Sequence, residues 1–172
     1  MKFLNLILIF ASVICFAQKI EWNSERKLTA NDFKGEIPLI KSQEAAGSMI
    51  TLEYKIISTS IWNGKIKINI FPTFDTSMSW IEPISINESL INHEQKHFDI
   101  GKIYSEKLQK IVDRKIKTTK DFNENFKIYY DEIYDEFYKF QSDYDLATEH
   151  GLNIEIQKKY DILINEMLDN FN

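Results

Sequence analysis

The stretch Ser85-Ile86-Asn87-Glu88-Ser89-Leu90-Ile91-Asn92-His93-Glu94-Gln95-Lys96-His97-Phe98-Asp99 is where the chain changes character. Before it, apolar residues recur at every second position; after it they recur at every third or fourth. Ser85 and Glu88 have the spacing of a capping box, in which Glu88 reaches back to the free backbone amide of Ser85. The pattern predicts a helix from Ile86 to about Arg114, with an apolar stripe of Leu90, His97, Gly101, Tyr104, Leu108 and Ile111.

Upstream, Ile50, Leu52, Tyr54 and Ile56 alternate with Thr51, Glu53 and Lys55, and Ile66, Ile68 and Ile70 alternate with Lys65, Lys67 and Asn69. That is the period of a half-buried strand. Asn63-Gly64 lies between the two runs and is a strong hairpin signal, since both residues tolerate positive φ. A hairpin of Met49–Ile61 and Lys65–Phe71 is expected, with further short strands at Lys19–Trp22 and Met78–Ile81. Leu28–Phe33 and Gly35–Ser48 read as loop with some turn.

Downstream, a second helix is expected from Asp121 to about Asp143. Its stripe of Phe126, Tyr130, Ile133, Phe137, Phe140 and Tyr144 reads as core packing rather than a ligand box. The acidic cluster Asp131, Glu132, Asp135 and Glu136 reads as a solvated face, because it lacks the alternating oxygens and the Gly of a Ca²⁺ loop. A third helix, Ile154 to Phe171, should bury Ile156, Tyr160, Leu163, Ile164, Met167 and Phe171. Strands followed by helices make the expected class α+β: a small antiparallel sheet, then three helices.

The chain has 172 residues, of which 44% are apolar and 13% aromatic, enough for one domain with a continuous core. Net charge is −5, from 21 basic against 26 acidic residues, with no long basic run, which argues against a nucleic-acid partner. Residues 1–17 read as a cleavable secretory signal: Lys2, an apolar run from Phe3 to Phe16, and small residues at Cys15 and Ala17, with the cut after Ala17. The run is too short to span a bilayer, and Ile14 before Cys15 disfavours lipidation. The remaining chain, 18–172, is then one secreted or periplasmic domain with no cysteine and no expected membrane contact.

The chain's three histidines are His93, His97 and His150. The first two frame the H-E-x-x-H of His93-Glu94-Gln95-Lys96-His97. Residues four apart on a helix lie about 40° apart and one turn along, so both imidazoles can converge on one ion. Zn²⁺ is the ion commonly held this way. Glu94, about 60° from His97 on the helical wheel, is placed as general base, taking a proton from water and passing it to a leaving amine. A catalytic zinc needs a third protein ligand. The metzincin pattern fails, because Ile100 and Ile103 stand where it needs Gly and His. His150 is therefore the expected third ligand, with Gly151 turning the chain beside it. Glu149 and Asp145 remain rivals, and a Glu on a later helix is conceivable.

Three stretches carry a resemblance: Lys27-Leu28-Thr29-Ala30-Asn31-Asp32-Phe33-Lys34-Gly35; His93-Glu94-Gln95-Lys96-His97-Phe98-Asp99-Ile100; and Tyr144-Asp145 through Thr148, His150-Gly151 and Gln157. The sequence resembles a bacterial family of secreted zinc-dependent proteases, catalogued as a domain of unknown function in the zincin-like peptidase superfamily. Ala30-Asn31 departs from the Trp-Asp expected there, a change that bears on packing. The resemblance implies a zincin-like fold, His93 and His97 as ligands, Glu94 as base, and a peptide or protein substrate. By analogy with zincins, Thr76–Trp80 is the expected substrate-binding edge with Trp80 as a wall, although Trp80 equally suits the core. Tyr144, then Tyr160, is the expected donor to the tetrahedral oxyanion. The alternative function is a non-catalytic zinc-binding or interaction protein of the cell envelope.

Overall fold

The structure is a computed structural model and describes residues 19–39 and 44–171. The expected signal segment lies outside the described residues.

Among the described residues, five strands form two antiparallel sheets. β1 (Lys19–Glu21), β4 (Ile66–Asp75) and β3 (Ile50–Thr59) make one, in that spatial order; β2 (Ala46–Gly47) pairs with β5 (Trp80–Ile81) in the other. The alternating pattern holds only in part: Ile50 and Leu52 face inward from β3, and Ile68, Ile70 and Phe74 from β4, whereas Tyr54 and Ile56 of the same β3 run are exposed. β4 runs four residues beyond the expected Phe71 because β1 supplies a partner there, pairing Lys19 with Asp75 and Glu21 with Thr73. A bulge between Ile56 and Ser58 shifts the register, and the strands part at Thr59 and Ile66. Gly64, at φ +65°, closes the turn by donating its N–H to Ser60 O.

The long helix α1 (Glu88–Lys115) crosses this sheet. Its cap is Asn87 rather than Ser85. The Asn87 side chain accepts from Leu90 N, while Pro83–Ser85 forms a separate 3₁₀ turn that starts at the proline. The expected stripe also understates the burial. From His93 to Gly101 every residue of α1 is buried, with the sheet and the two later long helices packed against it. Gly101 permits the close approach, since a Cβ there would lie 2.9 Å from Ile50 Cγ2 and 3.2 Å from Pro72 Cβ. Leu52, Phe74, Phe98, Ile100, Ile103 and Leu108 are almost wholly inaccessible. Each contributes about 1.5–3 kcal/mol of hydrophobic stabilisation.

Thr118 and Asp121 form a capping box for the short α2 (Thr119–Asp121), which continues through a π turn (Phe122–Phe126) into α3 (Lys127–Thr148). Ile133, Phe137 and Tyr144 of the aromatic stripe are buried, and Asp131, Glu132, Asp135 and Glu136 are exposed, as the pattern implied. α3 extends past the expected Asp143 to Thr148, and Glu149 and His150 then take left-handed backbone. α4 (Ile154–Asp169) starts at an Asn153 cap. It buries Ile164 and Gln157, whereas Leu163, expected in the core, is exposed. The α+β class is as expected.

Candidate metal centre

One turn of α1 and the last turn of α3 bring three donor atoms together. His93 Nε2 lies 3.2 Å from His97 Nε2, and Asp145 Oδ1 lies 3.1 Å from the first and 2.9 Å from the second. Ligand atoms around tetrahedral Zn²⁺ are about 3.3 Å apart when each bond is about 2.0–2.1 Å. Among the described residues this is the group of His, Cys and carboxylate side chains able to hold an ion.

The outer hydrogen bonds assign the protons. Gln157 Nε2 donates to Asp161 Oδ1 at 2.8 Å and to the Tyr144 hydroxyl at 2.7 Å, so its Oε1 is the atom 3.0 Å from His93 Nδ1. Gln141 Nε2 donates to the His97 carbonyl, so its Oε1 meets His97 Nδ1 at 2.5 Å. An amide oxygen only accepts, and therefore both Nδ1 atoms carry the proton. In the neutral rings both Nε2 atoms then present lone pairs to each other and to a carboxylate. Three acceptors this close together, on two buried imidazoles and a half-buried carboxylate, require a cation, either a proton or a metal ion. The titration behaviour agrees. Burial would lower the His97 pKa, but the bond to Asp145 and the charges of Asp145 and Glu94 raise it to about 9. Burial would raise that of Asp145, but both imidazoles hold it well below the usual carboxylate range.

Asp145, not the expected third ligand His150, joins the two histidines in this group. The longer α3 explains the difference. Gln141 and Asp145, four residues apart, share the face of α3 that meets α1, whereas His150 follows the helix end. Its Nδ1 stays 3.8 Å from Asp145 Oδ1 with the side chain 38% exposed, outside the three-atom group. The turn does bring Gly151, at φ +83°, onto His93: a Cβ there would lie 3.0 Å from His93 Cγ. Glu149 is exposed.

Tyr144 is not placed to meet an oxyanion. It is fully buried, its ring stacks on His93 at 4.7 Å and meets His97 edge-on, and its hydroxyl accepts from Gln157. Burial pushes its phenol well above the ordinary value. It therefore positions the two imidazoles. Tyr160, the second expected donor, packs 5.2 Å from the Tyr144 ring.

Glu94 is 3% exposed and accepts from Ser48 Oγ at 2.5 Å. It faces a cleft of about 410 Å³ that also exposes His93, His97 and Asp145, walled by Ala45–Ile50 on one side and by Tyr134 and Tyr138 of α3 on the other. A second hollow of about 390 Å³ continues past Ala45, Leu90 and His150. The expected edge at Thr76–Trp80 is closed: Thr76 O and Ser79 O accept from Lys34 N and Gly35 N, and Trp80 is buried and paired with Gly47. The chain lining the cleft is the 45–50 segment instead.

The other polar side chains of the motif are satisfied within the protein. Asp99, fully buried, accepts from Trp22 Nε1, Gln95 Nε2 and Lys96 Nζ, and Lys96 also donates to Asn165. Gln95 Oε1 accepts from Leu28 N, tying the N-terminal segment to α1.

Compared with family models, curated proteins and solved structures, the sequence matches none.

Proposed function

We propose that the chain is a zinc-dependent hydrolase, a zincin-like peptidase of the H-E-x-x-H kind that cleaves a peptide or protein outside the cytoplasm. The observation that carries this reading is the convergence of His93 Nε2, His97 Nε2 and Asp145 Oδ1 with both Nδ1 protons committed to glutamine oxygens. Zinc suits two imidazole nitrogens and one carboxylate oxygen, and, when bound, supplies Lewis acidity and lets water ionise near neutral pH. His93, His97 and Asp145 hold the ion; Gln141, Gln157 and Tyr144 hold the rings. Glu94, opening on the cleft beside them, takes a proton from water and returns it to the leaving amine, with Ser48 orienting its carboxylate. The cleft and the hollow beyond His150 together suit an extended chain. His150, on the rim between them, replaces Tyr144 as the side chain that donates to a developing oxyanion.

Glu94→Gln tests this directly. Zinc content should be unchanged, while hydrolysis of a peptide library should fall about 10²–10⁴-fold. Unchanged hydrolysis would remove Glu94 from the mechanism. A parent chain that holds zinc and cleaves nothing would favour the non-catalytic zinc-binding alternative.

A further inference from the structure

The β3–β4 turn, at the other end of the molecule from the cleft, exposes two large apolar side chains. Ile61 is 90% and Trp62 92% accessible, and the bulge residue Ile57 is half-exposed. Trp22, by contrast, is hydrogen-bonded to Asp99, and Trp80 is buried. A tryptophan almost wholly in water at the apex of a hairpin gains nothing from the fold.

The charge around this apex is one-sided. From Tyr54 to Phe74 the chain carries Lys55, Lys65 and Lys67 and no acid; from Arg114 to Lys120 it carries Arg114, Lys115, Lys117 and Lys120 and no acid. The two segments are joined. Ile66 N donates to Lys117 O, Thr119 N donates to Gly64 O, and Lys65 bridges Thr118. All seven cations are exposed. Three acids border the second segment, Asp113, Asp121 and Glu124, the last 3.8 Å from Lys120, so the cations outnumber them seven to three. Neither Lys65 nor Lys67 makes an ion pair among the described residues. This basic end belongs to a chain whose net charge is −5.

We propose that the Ile61–Trp62 apex and its lysine collar dock on an anionic lipid surface. Tryptophan favours the boundary between headgroups and acyl chains, and lysines beside it pair with lipid phosphates while their stems lie along apolar surface. An exposed isoleucine and tryptophan collared by exposed lysines match the layered chemistry of an anionic bilayer surface, with its acyl chains beneath phosphate headgroups. The contact is peripheral: among the described residues no helix is long and apolar enough to cross a membrane. It departs from the expectation of no membrane contact. His97 and Lys115 lie on one helix, roughly 27 Å apart along its axis, so docking at the apex leaves the cleft open.

Co-sedimentation of the full chain with vesicles of phosphatidylglycerol in phosphatidylcholine, against phosphatidylcholine alone, tests the proposal. The parent chain should bind the anionic vesicles more tightly, and brominated lipids should quench its tryptophan emission. Ile61→Ser with Trp62→Ser should weaken binding at least about tenfold, and Lys65→Glu with Lys67→Glu about fivefold or more per charge. Trp62→Phe should keep the binding and lose the quenching. Each variant changes an exposed side chain, and an unaltered thermal melt confirms its fold. Vesicle binding unchanged by these substitutions would overturn the proposal, because the N-terminal segment is common to all the chains. So would equal binding to neutral vesicles, or self-association or an acidic protein partner that depends on Trp62 while the vesicles do not.

Discussion

Two buried polar clusters sit on the same turns of α1, and they are built differently. Lys96 and Asp99 form a closed set: the carboxylate receives an ammonium, an indole N–H and an amide N–H, and the lysine reaches Asn165. His93 and His97, interleaved with them, face Asp145 with three acceptor atoms and no lysine. A buried cluster that contains its own cation is structural. One in which acceptors outnumber donors can take a cation, either a proton or a metal ion.

The largest expected effect is on the open cluster. His97→Ala should weaken zinc binding at least about 10³-fold, measured by chelator competition, while the metal-free chain keeps its fold. Asp99→Leu should do the reverse. It strands a buried lysine, costs about 3–5 kcal/mol in denaturant melts, and leaves zinc stoichiometry at its parent value in the folded protein. Adding Lys96→Met should recover most of that loss. If Asp99→Leu released zinc without lowering stability, the division between the clusters would fail. Gln141→Leu and Gln157→Leu each remove an oxygen that fixes an imidazole, and should cost about 10–100-fold in zinc affinity.

Protons sharpen the comparison further. His97 in the metal-free protein is raised to about 9, above its ordinary value of 6.5. A proton therefore competes for the site, and zinc affinity should fall about tenfold per pH unit from 9 down toward 6.5. The sign for stability follows. The raised pKa stabilises the metal-free fold fully below pH 6.5, and that contribution is lost as pH rises through 9. Zinc titrations and metal-free melts across this window check both. A flat affinity would mean that no proton is displaced.

Much of this was legible in the sequence because it is periodic. Alternating Ile and Lys marked the hairpin, and the spacing of His93 and His97 marked one face of a helix. What was missed depends on where elements end and meet. Asn87 outcompetes Ser85 as a cap once Pro83 starts its own turn. α3 runs to Thr148, which brings Asp145 to the histidines and leaves His150 on the rim. Gln141 and Asp145 repeat the spacing of four that singled out His93 and His97, so that signal was present in the sequence. The burial of Tyr144 and the pairing of Thr76–Trp80 with the 34–35 and 46–47 segments are tertiary facts with no local signature.

Elemental analysis of the purified chain, dialysed against a weak chelator, bears most directly on the open cluster. One zinc per chain is expected, lost in both His93→Ala and His97→Ala. No metal in the parent, and none taken up when Zn²⁺ is added, would contradict it and leave a proton as the cation between the two imidazoles.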